Sequence, residues 1–206
     1  MKIVKGMAVA GALVALAAAA PAYAQEDVFK VFVTYDWISP LGDDDVTVGS
    51  VTDAVKGSDG AGYEAGFEWR LHKVVGIEGS YFKGSNDFDF GSTSVGSLDQ
   101  RAITAALNFH IIPTKHFDLW IGPVVSWYKF DDFEVSPGTS LSLDNRWGYG
   151  AALGIDIGIT KGFAFTAGVR YTKVSLTSSD NVVTFEDVAF DPVIARAGVA
   201  FRFGHR

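Results

Sequence analysis

The chain is 206 residues long, carries a net charge of -7, is 48% hydrophobic and 14% aromatic, and contains no cysteine. The acidic balance excludes a nucleic-acid binder, and the missing cysteines exclude a disulfide-stapled scaffold. The length suits one substantial domain rather than several.

Residues 1–24 read as a secretory signal peptide. Lys2 and Lys5 give a positive start, residues 7–20 form a short Ala-rich apolar run, and Ala22-Tyr23-Ala24 supplies the small residues of a cleavage site. The run is too short for a transmembrane helix with such flanks. The mature chain is expected at 25–206, beginning at Gln25, and losing Lys2 and Lys5 takes its charge to about -9.

Beyond residue 24 the dominant signal is alternation with a period of two. Residues 29–38 place Phe29, Val31, Val33, Tyr35 and Trp37 on one face and Lys30, Thr34 and Asp36 on the other, with Phe32 on the polar side. Over 60–71 the odd positions are Ala61, Tyr63, Ala65, Phe67, Trp69 and Leu71, whereas the even ones are glycine or charged. The same pattern continues over 75–83, 98–111, 117–130, 146–157, 162–174 and 191–203, which makes eight predicted strands. Each approaches the ~9–11 residues that a tilted strand needs to cross a bilayer. Short turns at 72–74, 112–116 and 158–161 alternate with long polar loops at 39–59, 84–97, 131–145 and 175–190. That strict alternation, with an even strand count, predicts an all-β fold: an eight-stranded antiparallel up-and-down transmembrane β-barrel in the Gram-negative outer membrane. Short turns and both termini are expected in the periplasm and the long loops outside the cell.

Size decides which face is inside. Trp37, Trp69, Trp127, Trp147, Phe67 and Phe165 share one face, and an eight-stranded interior has no room for so many rings. Gly62, Gly66, Gly122, Gly154 and Gly198 share the other, so the apolar face meets lipid. The outward charges Lys83, Asp99, Arg101, Lys129 and Lys173 all fall at the long-loop ends of their strands, where a charge facing lipid costs least.

The polar lumen lining is expected to comprise Glu64, Glu68, Arg70, Glu78, Arg146, Asp156, Arg170, Arg196 and Arg202. Opposite charges packed so closely should pair, giving either a filling salt-bridge network or a selective lining. Phe32, Phe82, Trp120, Val124, Tyr128 and Ile194 are expected to line the lumen as its apolar part, mostly toward the long loops. No catalytic residue, cofactor or metal is expected. His72, His110, His116 and His205 all fall at the short-turn end, away from the loop serines. The acidic group Asp43, Asp44 and Asp45 and the pair Asp131 and Asp132 read as solvated loop, without the spacing of a calcium loop.

Several segments resemble the outer membrane protein W family, OmpW, over nearly all of the mature chain. They are the first strand running into Ser39-Pro40, Val75-Gly76-Ile77-Glu78, Leu119-Trp120-Ile121-Gly122-Pro123 through Phe130, Trp147-Gly148 through Asp156, and Asp191-Pro192 through Phe203. The chain departs from the family pattern by continuing as Gly204-His205-Arg206. The resemblance implies a narrow, partly hydrophobic lumen that conducts small hydrophobic molecules; outer-membrane lipid is expected from the apolar outer face, and lipopolysaccharide as a partner of the acidic loops through divalent ions. The rival expectation is a non-transporting barrel of OmpA or OmpX type that acts through its outer loops.

Overall fold

The computed structural model describes residues 27–41, 43–48, 51–90, 93–114, 116–131, 133–136, 139–179 and 184–205. The expected signal peptide therefore lies outside the described residues.

Among the described residues there are thirteen strands: β1 (Asp27–Pro40), β2 (Asp43–Val48), β3 (Val51–His72), β4 (Val75–Phe90), β5 (Thr93–His110), β6 (Phe117–Phe130), β7 (Phe133–Ser136), β8 (Thr139–Leu141), β9 (Arg146–Gly158), β10 (Phe163–Lys173), β11 (Ser175–Ser179), β12 (Thr184–Ala189) and β13 (Pro192–His205). Eight of them form the wall, in the order β1-β3-β4-β5-β6-β9-β10-β13, and β13 pairs back to β1 to close the cylinder. Every pairing is antiparallel, so the wall is an up-and-down barrel without a free edge.

The eight wall strands coincide with the eight alternating segments. The long connections differ from the expectation of irregular polar loops. β3, β4 and β5 run on past the wall, β2 pairs onto the extension of β3, and β7 with β8 and β11 with β12 form separate hairpins. The reason is local: Val46-Thr47-Val48 and Val51-Thr52 are β-branched runs that favour strand geometry even between polar neighbours.

Alternation translates directly into burial. Along β1, Lys30, Phe32, Thr34, Asp36 and Ile38 are buried while Val31, Val33, Tyr35 and Trp37 are exposed. The exposed face is rich in large apolar side chains on every wall strand, among them Phe67, Tyr81, Ile103, Ile121, Trp147, Phe165 and Phe201. An apolar outside around a polar inside inverts the arrangement of a water-soluble barrel.

The β5–β6 ladder is interrupted for two rungs. Pairing between β5 and β6 runs to Ala106 and Val124 and resumes at Phe109 and Ile121, leaving Leu107 and Asn108 opposite Gly122 and Pro123 without a rung. Pro123 has no N–H, and its neighbour on the other side, Ala151, is in register, so the missing donor faces β5.

Candidate functional site

The site is the lumen. Inward positions on all eight wall strands converge there because strand parity leaves them no other direction.

Near the short-turn end, Lys30 of β1 reaches Glu68 of β3 at 2.7 Å and Asp156 of β9 at 3.1 Å. Arg70 binds Glu68 through Nε at 3.1 Å and also binds Asp118 of β6. His110 of β5 is wedged between the same two carboxylates, its Nε2 2.8 Å from Glu68 and its Nδ1 2.9 Å from Asp118. Higher up, Glu64 accepts hydrogen bonds from Arg170 of β10 and Arg196 of β13, each at 3.0 Å. Arg196 continues to Glu78 of β4 at 3.1 Å, and Asn108 of β5 donates to Glu78 at 2.9 Å and to Glu68 at 3.4 Å. The chain Asp156, Lys30, Glu68, Asn108, Glu78, Arg196, Glu64, Arg170 is thus continuous, and with Asp118 every wall strand contributes to the layer.

The wall register explains why the cations sit where they do. Two rungs set like charges directly opposite, Glu68 with Glu78 and Asp118 with Asp156. Such rungs are destabilising unless bridged. Lys30 spans Glu68 and Asp156, Arg70 spans Glu68 and Asp118, and Arg196 takes Glu78. Removing one member leaves a buried charge uncompensated, at a cost of about 3–5 kcal/mol. Two rings share this layer: Lys30 lies 5.4 Å from the centroid of Trp120, and Arg196 lies 5.1 Å from those of Trp120 and Phe32.

Toward the long loops the lining changes character. Ile38, Phe82, Leu98, Ala102, Tyr128, Phe130 and Ile194 form one buried apolar cluster, joined by Leu143, Val174, Leu176 and Phe190 from the hairpin end. Tyr128 stacks on Phe130 at 5.9 Å, and Phe130 meets Phe190 edge-on at 6.1 Å. Arg170 lies 5.9 Å from the Phe82 ring and marks the boundary between the two layers. The lumen is therefore ionic at the short-turn end, whereas the other end combines this apolar cluster with buried neutral polar groups, among them Gln100 donating to Asn86 at 2.6 Å.

Of the residues expected to give the polar lining, Glu64, Glu68, Arg70, Glu78, Asp156, Arg170, Arg196 and Arg202 are all buried. Arg146 is half-buried at the long-loop end, and no ion pair is formed by it among the described residues. The six apolar positions are all buried, but they divide: Phe82, Tyr128 and Ile194 join the upper cluster, whereas Phe32 and Trp120 sit among the charges. Val124 packs beside Trp120. Sequence reasoning left Lys30, Asn108, His110 and Asp118 out of the site. Each has the inward parity of its strand, so the signal was present; position near a strand end concealed His110 and Asp118. His72 and His116 are exposed, as a solvated reading expects. The side chains of Asp43, Asp44 and Asp45, and Asp132 altogether, lie outside the described residues, while Asp131 pairs with Arg101.

Comparison with known proteins places this architecture. The fold is similar to that of OprG from Pseudomonas aeruginosa, with a TM-score of 0.70 and 18% identity over 89% of this chain and 98% of that one. It is also similar to AlkL, solved in lipid bilayers, with a TM-score of 0.62 and 17% identity over 90% and 94% of the two chains. Outer Membrane Protein W from E. coli gives a TM-score of 0.51 and 16% identity over 87% and 99%. No curated protein matches the sequence. Residues 10–203 match the family described as Outer membrane protein beta-barrel domain, and the chain belongs to that family.

Proposed function

We propose that this barrel is a carrier for small hydrophobic solutes at the outer membrane of a Gram-negative cell. The long-loop end faces outward and the short turns and termini face the periplasm. The single observation behind the reading is the two-layer lumen: a buried apolar cluster built around Phe82, Phe130 and Phe190 stands above an ionic layer. An apolar solute gains by leaving water for such a lining, at roughly 25 cal/mol per Å² of surface. A hydrated ion gains nothing there and meets fixed charges that are already paired. No bond-breaking role is assigned to any residue.

Two measurements on the pure folded protein test this together. Proteoliposomes with a lipopolysaccharide outer leaflet should take up a small apolar solute faster than empty vesicles, while planar bilayers show no sustained ionic current. Uptake no faster than through empty vesicles overturns the carrier reading. The second reading, a non-transporting barrel working through its outer hairpins, is favoured by the ionic network itself, which spans the lumen from β1 to β9 and from β3 to β13. Absent uptake together with absent current is the result that selects it.

A further inference from the structure

The outward face carries a feature that the lumen does not explain. Lys83 of β4 is directly opposite Arg101 of β5, and Arg101 is directly opposite Lys129 of β6. With facing Cβ atoms ~4.5–5.5 Å apart, three cations occupy about 10 Å of wall. Asp131 neutralises Arg101. Among the described residues Lys83 and Lys129 have no carboxylate partner, and both are exposed. Asp99, outward and one rung above Arg101, adds a second chain carboxylate, so the two chain carboxylates are outnumbered by the three cations of the row and Lys83 and Lys129 remain open to an anion from outside.

Height and surroundings say which anion. Lys83 and Arg101 lie roughly eight residues along their strands from the short-turn end, about 21 Å at ~3.4 Å per residue and a tilt of about 40°. That approaches the top of an apolar band ~25 Å tall. One rung lower run Tyr81, Ile103, Trp127 and Trp147, an exposed or half-exposed apolar and aromatic row that fits acyl chains meeting headgroups. Charge around the barrel at this level is lopsided: across the cylinder Lys173 of β10 faces Tyr149 rather than another cation.

We propose that Lys83, Arg101 and Lys129 form a phosphate clamp for the outer-leaflet glycolipid, binding the phosphates of lipopolysaccharide against the wall of β4, β5 and β6. Lys83 and Lys129 hold the phosphate as point charges on either side of Arg101, whose five donors serve Asp131 and leave N–H groups for a phosphate oxygen. The proposal takes only the orientation from the carrier reading. It stands whether or not the lumen transports anything.

Native mass spectrometry of the folded protein in detergent tests the clamp without reference to orientation or transport. The probes are bisphosphorylated lipid A, the same lipid with its phosphates removed, phosphatidylglycerol and inorganic phosphate. Bisphosphorylated lipid A should stay bound and outcompete phosphatidylglycerol, and removing its phosphates should weaken retention at least tenfold. Lys83→Gln or Lys129→Gln should weaken it about fivefold each, and the triple variant with Arg101→Gln about a hundredfold. Lys173→Gln should change it less than twofold. Equal binding of the dephosphorylated lipid overturns the proposal, and that arm needs no variant to fold. So does a triple variant that binds as wild type, a Lys173→Gln loss equal to that of Lys83→Gln, or displacement of lipid A by equimolar inorganic phosphate.

Discussion

Replacing Lys30 by methionine tests the ionic layer at its most connected point. Lys30 is fully buried and holds Glu68 at 2.7 Å and Asp156 at 3.1 Å. At an effective dielectric constant of about 20 these contacts are worth about 6 and about 5 kcal/mol in Coulomb energy, before the several kcal/mol that an ammonium loses on leaving water. Their loss is unequal in its consequences. Glu68 keeps Arg70 and His110, whereas Asp156 loses its one ion-pair partner among the described residues and still faces Asp118 across the rung. An uncompensated buried carboxylate places the cost at about 3–5 kcal/mol.

The assay is urea unfolding of the barrel refolded into lipid vesicles, followed by tryptophan fluorescence and by the mobility of the unheated protein on gels. With a slope near 2 kcal/mol per molar urea, Lys30→Met should lower the midpoint by about 1.5–2.5 M. Combining it with Asp156→Asn removes the stranded charge, so the double variant should recover at least half of the loss. A single variant costing under about 1 kcal/mol, or a double variant less stable than the single one, refutes the reasoning that paired charges hold this layer.

Three further substitutions probe other terms. Gly154→Ala drives a methyl into the fully buried Trp120 ring and should destabilise by about 1–3 kcal/mol, read as a lower thermal midpoint. Val33→Arg, at an exposed outward position in mid-strand, should cost about 2–4 kcal/mol in vesicles, against ~0–1 for Ser39→Arg near the loop end; equal costs contradict a hydrocarbon surround. Pro123→Val returns the missing donor opposite Leu107 and should add about 0.5–1.5 kcal/mol, with slower amide exchange at Asn108 and Gly122 as its local signature.

The wall was legible because its information is one-dimensional. Parity along each strand and the alternation of short and long connections suffice to place Phe67, Trp147 and Phe201 outside and Glu64, Arg170 and Arg196 inside. The long connections were misread because Val46-Thr47-Val48 is too brief to stand out from its polar flanks, yet it pairs once β3 extends past the wall to meet it. Inward parity also says nothing of height or partner. Lys30 and Asp156 are far apart in sequence and meet only because the shear of the closed barrel brings the lower ends of β1 and β9 together across the lumen. Phe32 and Trp120 were expected in an apolar lining for the same reason, although Lys30 and Arg196 approach their faces.

The ionic layer also bears on how the register is chosen. Outside the barrel almost every residue is apolar, so a slip of two residues between neighbouring strands leaves the lipid face equally greasy and the parity unchanged. Apart from the charges at the long-loop ends, the outer surface therefore discriminates little between such registers. Inside, the same slip between β1 and β3 carries Lys30 away from Glu68, its direct partner across the rung, and moves it opposite Arg70 or Gly66. A slip between β6 and β9 parts Asp118 from Asp156 and takes one of them away from its bridging cation. Each error exchanges a satisfied buried pair for an isolated charge at a cost of about 3–5 kcal/mol, a large fraction of the about 5–15 kcal/mol that holds a typical domain folded. On this argument the charged lumen residues specify the cylinder that the apolar residues merely permit.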